Sequence, residues 1–176
     1  MTENDSLERA IHEAVQLSPY SPDWPLFFRT EQERLSRLFP QIVAIEHIGS
    51  TAVEGLSAKP IIDMMAGVAS MQDAKSLTTP LCQSGYITSV DFNASLTDRQ
   101  WLMRWADGHR THHLHVVVHE GVVWHERLKF RDALRANAEL AAQYLQLKQR
   151  IASEHAQDRE AYTAAKTVFV QSVVAM

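Results

Sequence analysis

One cysteine, Cys82, stands among the 176 residues, so the chain has no intramolecular disulfide framework and no Cys-x-x-Cys pair for zinc or redox chemistry. Long apolar runs are missing as well, and none approaches the roughly 20 residues of a membrane-spanning helix. The opening residues, Met1 to Ala10, are polar and lack the pattern of a secretory signal, so a cytoplasmic protein is expected. Positive charge is not in excess: 17 Lys and Arg against 21 Asp and Glu give −4 with the nine histidines neutral. That balance argues against general nucleic-acid binding, which needs clustered cations to release counterions. The Gly-x-Ser-x-Gly elbow, the P-loop and the His-Glu-x-x-His helix are all absent. Tyr144/Lys148 and Tyr162/Lys166 have the Tyr-x-x-x-Lys spacing of short-chain dehydrogenases. No glycine-rich dinucleotide fingerprint follows an N-terminal strand, however, and that reading fails.

What is present fits one globular domain: 45% hydrophobic and 22% charged residues, with no internal repeat and no long linker. The first 18 residues read as an appended helix, with Asp5 or Ser6 as cap and Leu7, Ile11, Ala14 and Val15 on one face. After the break at Ser18 to Pro22, a helix is expected from Trp24 to Phe39, with Pro25 in its first turn and Pro40 at its end. Ile42 to Ile48 reads as a strand, Gly49-Ser50-Thr51 as a turn into a short helix, and Lys59 to Val68 as a second strand. A helix from Met71 to about Ser84 is weakened near Pro80, and Tyr86 to Val90 reads as a strand. Trp101 to Trp105 and Thr111 to His119 flank a hairpin loop containing Asp107-Gly108. Helices are expected over Trp124 to Asn137, Ala138 to Glu154 and Asp158 to Val174. Strands early and helices late make an α+β class, a small mixed sheet backed by helices. The C-terminal helices either pack on the sheet or form a subdomain beside it.

Three stretches can carry chemistry. In the first, Glu46 to Asp63, the strand runs into Gly49-Ser50, where glycine permits close backbone approach and serine offers a hydroxyl. A helix starting at Ser50 or Thr51 would point free N–H groups at an anion. Asp63 interrupts the apolar run Ile61 to Met65, a placement that calls for a partner or a metal. The bland alternative is a tight turn, with Asp63 at a strand end. In the second, strand alternation puts His113, His115, Val117 and His119 on one face and His112, Leu114 and Val116 on the other. His113 and His115 are thus close enough to share a metal or a phosphate oxygen, unless they merely face solvent. In the third, Arg131 and Arg135 are an i,i+4 pair of guanidinium forks suited to phosphate or carboxylate. Asp132 offers Lys129 or Arg135 a surface ion pair instead. Cys82 and the four tryptophans read as packing residues.

Taken in order, these segments resemble the GrpB family. The matching residues include Tyr20 to Pro25, Glu46 to Val53, Gly55-Leu56, Ala58-Lys59-Pro60-Ile61-Ile62-Asp63, Gly85-Tyr86 and His113-Leu114-His115-Val116. They continue through Phe130-Arg131-Asp132-x-Leu134-Arg135, Tyr144-x-x-Leu147-Lys148 and Tyr162-Thr163-x-x-Lys166, so that the resemblance covers about residues 19–172. It implies a nucleotidyltransferase-like fold over residues 19–176, with Gly-Ser at a strand-to-helix turn and paired carboxylates on the next strand holding two divalent ions. Similar domains occur fused to dephospho-CoA kinase.

Two departures stand out. Met65 occupies the second carboxylate position, and Glu54 stands where the family's loop is expected to have proline. The expectation is a nucleotidyltransferase-like protein that binds a nucleotide or other phosphorylated small molecule with a divalent metal, Mg²⁺, Mn²⁺ or Zn²⁺. Gly49, Ser50 and Thr51 would cradle the phosphates. Asp63, with His113 or His115, would hold the metal and serve catalysis. Lys59, Arg131, Arg135 and Lys166 would neutralise the remaining charge. The alternative is a non-catalytic ligand-binding or accessory module, linked to coenzyme A metabolism.

Overall fold

A computed structural model describes residues 17–154 and 159–176, together with residues 2, 5, 8 and 9; the expected N-terminal helix falls almost wholly outside the described residues. Helix α1 spans Trp24–Leu38, starting with Pro25 in its first turn and closing on Phe39, whose N–H reaches the Leu35 carbonyl. Strand β1 (Ala44–Ile48) leads through Gly49 into a three-residue 3₁₀ turn, Ser50–Ala52, and strand β2 spans Ile62–Val68. Helix α2 (Met71–Gln83) is capped by the Ser70 hydroxyl on the Asp73 N–H and runs through Pro80. A short helix α3 (Val90–Ala94) precedes the hairpin β3 (Gln100–Ala106) and β4 (His109–Val118). Helices α4 (Val122–Ala136), α5 (Ala138–Glu154) and α6 (Arg159–Val174) complete the described chain.

The strands lie in the order β1-β2-β4-β3, with β2 and β4 parallel and the outer pairs antiparallel. The class is therefore α+β with a mixed sheet, as the element order implies. The hairpin closes in two residues, Asp107 and Gly108, both at positive φ (53° and 78°), the conformation that matches strand twist. The expected strand over Tyr86 to Val90 is corrected. Only Ile87 bridges, to Met103, and Ser89 then turns the chain into α3 by accepting from the Phe92 N–H. The second strand also starts later than Lys59, because Ala58 pairs with Ser18 across the N-terminal segment.

Alternation along the strands divides the core between the two faces of the sheet. On one face Ile62, Met64, Ala66, Leu114 and Val116 pack against Leu35 of α1 and Leu77 and Leu81 of α2. On the other, Ile48, Met65 and Val117 pack against Trp124 of α4. Helices α5 and α6 join α4 around the loop residues Val53 and Leu56, through Leu134, Leu140, Tyr144 and Val173. The C-terminal helices thus pack on the sheet through α4 and roof over the β1–β2 connection through α5 and α6. That roof builds the site.

Candidate functional site

Asp63 opens strand β2 on the α4 side of the sheet. Its neighbours in register are Ile48 of β1 and His113 of β4. His113 Nδ1 lies 3.2 Å from Asp63 Oδ1, and Arg110 Nη1 lies 3.1 Å from His113 Nε2. A guanidinium only donates, so Nε2 is the acceptor and Nδ1 carries the proton to Asp63. His115 Nε2 approaches the same oxygen at 3.9 Å. Burial would raise the Asp63 carboxyl, but the hydrogen bond from His113 and the surrounding positive charge, Lys166 included, hold it well below the usual carboxylate range. Gly49, at φ 74°, is needed here: a Cβ on it would come within 2.6 Å of Asp63 Oδ2. The glycine makes room for the chain's own carboxylate.

Ser50 lies beside this pair. Its hydroxyl accepts from Lys148 Nζ at 2.7 Å, and Lys148 also sits 4.9 Å from the Tyr144 ring centroid. Lys148 is 6% exposed and has no carboxylate at ion-pair distance among the described residues. Burial lowers its ammonium to about 8; Lys166 and Lys59 push in the same direction and Asp63 opposes them. Three of the chain's five lysines thus contribute positive charge around Lys148, against the carboxylate of Asp63.

The remaining expected site residues serve the frame. The Thr51 hydroxyl is buried between His47 Nε2 (2.9 Å) and the Ile61 carbonyl, which commits it to the packing beneath the turn. The turn that holds it is too short for the helix-terminus anion site expected there. Arg131 donates to Glu46 at 2.7 Å, to the His47 carbonyl and to Asp132, tying α4 to β1. Arg135 donates to the Ala52 carbonyl at 2.8 Å. The two guanidiniums anchor the β1 end and its turn. His119 packs edge-on to Trp124, and His112 lies on the opposite face near Glu31.

The structure adds Lys148 and Arg127, neither of which was expected in the site. Both were legible as charged residues within apolar stripes: Lys148 among Leu140, Ala141, Tyr144 and Ile151, and Arg127 between Trp124 and Leu134. Among the described residues no three His, Cys, Asp or Glu side chains are grouped to hold an ion. Met65, at the second carboxylate position, is fully buried in the apolar cluster with Trp124. A surface depression of about 430 Å³ is lined by Gln143, Gln146, Leu147, Arg150 and Phe169, and neither Ser50, Asp63 nor Lys148 lines it.

The family model described as GrpB protein matches residues 14–176. The chain belongs to the GrpB family. It is 34% identical over 169 residues to the glutamate-rich protein GrpB of Alkalihalophilus pseudofirmus, covering 91% of this chain and 94% of that one. The crystal structure of conserved protein GrpB from Enterococcus faecalis superposes with a TM-score of 0.75 at 28% identity, over 91% of this chain and 98% of that one. The likeness extends to the dephospho-CoA kinase of Mycolicibacterium paratuberculosis at 27% identity. That match covers 93% of this chain but 46% of the kinase, so the GrpB unit spans about half of that relative. No helix among the described residues is long and apolar enough to cross a membrane.

Proposed function

We propose that this GrpB protein binds a phosphate-bearing small molecule, nucleotides foremost, in the cleft between Ser50, Asp63 and helices α5 and α6. The observation that carries the reading is the buried Lys148, bonded to the Ser50 hydroxyl, with Lys166 and Lys59 adding positive charge and Asp63 opposing them. A buried ammonium raises the energy of the fold, and an oxyanion entering beside it removes that penalty. A divalent ion, Mg²⁺, Mn²⁺ or Zn²⁺, enters this reading together with the ligand. Asp63 supplies one carboxylate oxygen, and the phosphates supply the ligands the protein lacks. Any catalysis is transfer of a nucleotidyl group to a small hydroxyl, amine or carboxylate acceptor, a step that rests on fold-level analogy alone.

The second reading is a non-catalytic binding or accessory module. Met65, buried where a second metal-binding carboxylate would stand, favours it, and the likeness to part of dephospho-CoA kinase puts coenzyme A precursors among its candidate ligands.

A thermal-shift panel of nucleoside triphosphates and coenzyme A precursors, with and without each metal, tests both readings. Ligand at a hundred times its dissociation constant stabilises the fold by about 2.7 kcal/mol. The expected result is a shift with phosphorylated ligands that Lys148→Met abolishes. Metal dependence lost in Asp63→Asn supports the ion, and pyrophosphate release with an acceptor present separates enzyme from module. No shift with any phosphorylated compound, in a folded sample, overturns the binding reading.

A further inference from the structure

Three buried side-chain nitrogens lack a partner among the described residues: Arg99 Nε, His112 Nε2 and His115 Nδ1. His112 belongs to the opposite face of the sheet. His115 falls on the Asp63 face, where Trp101 of β3 pairs with it in register. Arg99 stands just before β3 and is among the charges acting on His115. His115 is 9% exposed, and its Nε2 is the nitrogen turned toward Asp63, which leaves Nδ1 on the other edge of the ring.

Arg127 faces the same place from α4, one turn after Trp124, which packs on Met65 and Val117, and one turn before Arg131, which is tied to β1. Arg127 makes no hydrogen bond or ion pair with a described residue. It is the strongest charge acting on His115, and Arg99 and Arg127 repel one another. Asp98 holds Arg99 through Nη1 at 3.1 Å, but that carboxylate is half exposed and leaves Nε inward. Two half-buried guanidiniums, one with an inward Nε that has no partner, and an orphaned imidazole nitrogen are a set of donors suited to an anion.

Lys148 is bonded to Ser50 just after β1, whereas His115 lies on β4 and Arg99 just before β3. In the strand order β1-β2-β4-β3, Asp63 on β2 stands between these two groups of cations, the lysine pole and the arginine pole. We propose that Arg99, Arg127 and His115 form a second phosphate subsite, so that the ligand is a small molecule carrying two separated phosphate groups, one at each pole. The pairing of poles rests on the phosphate-binding reading above; the arginine pole itself does not.

The test is titration of the full chain with inorganic phosphate, followed by ³¹P NMR for stoichiometry and by the arginine Nε–H signals in a ¹H–¹⁵N spectrum. Two phosphates are expected per chain, one lost in Arg127→Met and the other in Lys148→Met. Arg127→Lys keeps the charge but loses the fork, and is expected to weaken its site at least fivefold; it decides the matter if Arg127→Met does not fold. One phosphate, lost in Lys148→Met and unaffected by both Arg127 variants, overturns the second subsite and leaves the first reading standing. One phosphate lost in Arg127→Met and kept in Lys148→Met supports the subsite and overturns the lysine pole. No phosphate bound overturns both.

Discussion

Gly49 and Lys148 show how single residues make this cleft. Gly49 is held at φ 74° with Asp63 Oδ2 against its Cα, so Gly49→Ala brings both backbone strain and a clash. A loss of about 2 kcal/mol in urea denaturation is expected, with the Asp63–His113 contact displaced. Lys148 is the reverse case, an ammonium whose burial works against the fold. Its ammonium is lowered to about 8, so between that pH and about 10.4 the unfolded chain holds a proton that the folded chain has released. Its contribution to stability therefore improves as pH rises through that window, while phosphate affinity falls as the charge is lost. Calorimetric titration with phosphate from pH 7 to 9.5 should show affinity dropping above about 8. Lys148→Arg should flatten that dependence, since a guanidinium stays charged throughout. A pH-independent affinity in the wild type would remove Lys148 from the ligand's reach.

At the scale of elements, the sheet is clamped from the side opposite the cleft. Glu31 of α1 is buried and receives Arg34 at 2.6 Å, Arg104 of β3 at 2.6 Å and the Tyr86 hydroxyl at 2.8 Å. Burial works against the Glu31 carboxylate, yet these donors together lower its pKa, so it stays ionised. Glu31→Ala leaves two guanidiniums facing an empty hole, and a loss of about 3–5 kcal/mol is expected by chemical denaturation. Because β3 carries Trp101 and follows Arg99, the same variant should also loosen the arginine pole. Hydrogen exchange on the β3 amides reads that coupling directly. Unchanged protection along β3 would mean that the clamp acts on α1 alone.

Over the whole molecule, imidazoles set the acid limit. Burial lowers His47 to about 4, with Asp63 opposing and Arg135 and Arg131 assisting. It also lowers His112 to about 4, and His115 falls well below its usual value for the same reason. Each is neutral in the fold and takes up a proton on unfolding below about 6.5. Their contribution is whole above that pH and is lost as pH falls toward 4. Roughly 1–2 kcal/mol per imidazole should go by pH 5, seen as a falling urea midpoint between pH 7 and pH 5. A flat midpoint over that range would show that the histidines are solvated.

Much of this architecture was legible in the chain. Local rules were enough for α1 with Pro25, for the Asp107-Gly108 turn, for the alternation that put His113 and His115 on one common face, and for α4 to α6, because each depends on neighbours within a few residues. Family membership was legible too, since spaced motifs survive without knowledge of their contacts. Partner choice across long separations was not. Tertiary packing turned Tyr86 to Val90 from a strand into a bridge and a capped helix. It gave Arg131 and Arg135 to the β1 frame, and it set Lys148 against Ser50, 98 positions away. Residue type and periodicity say which face a side chain takes. Which charge it meets there depends on how the helical roof closes over the sheet, and only the packed structure decided that.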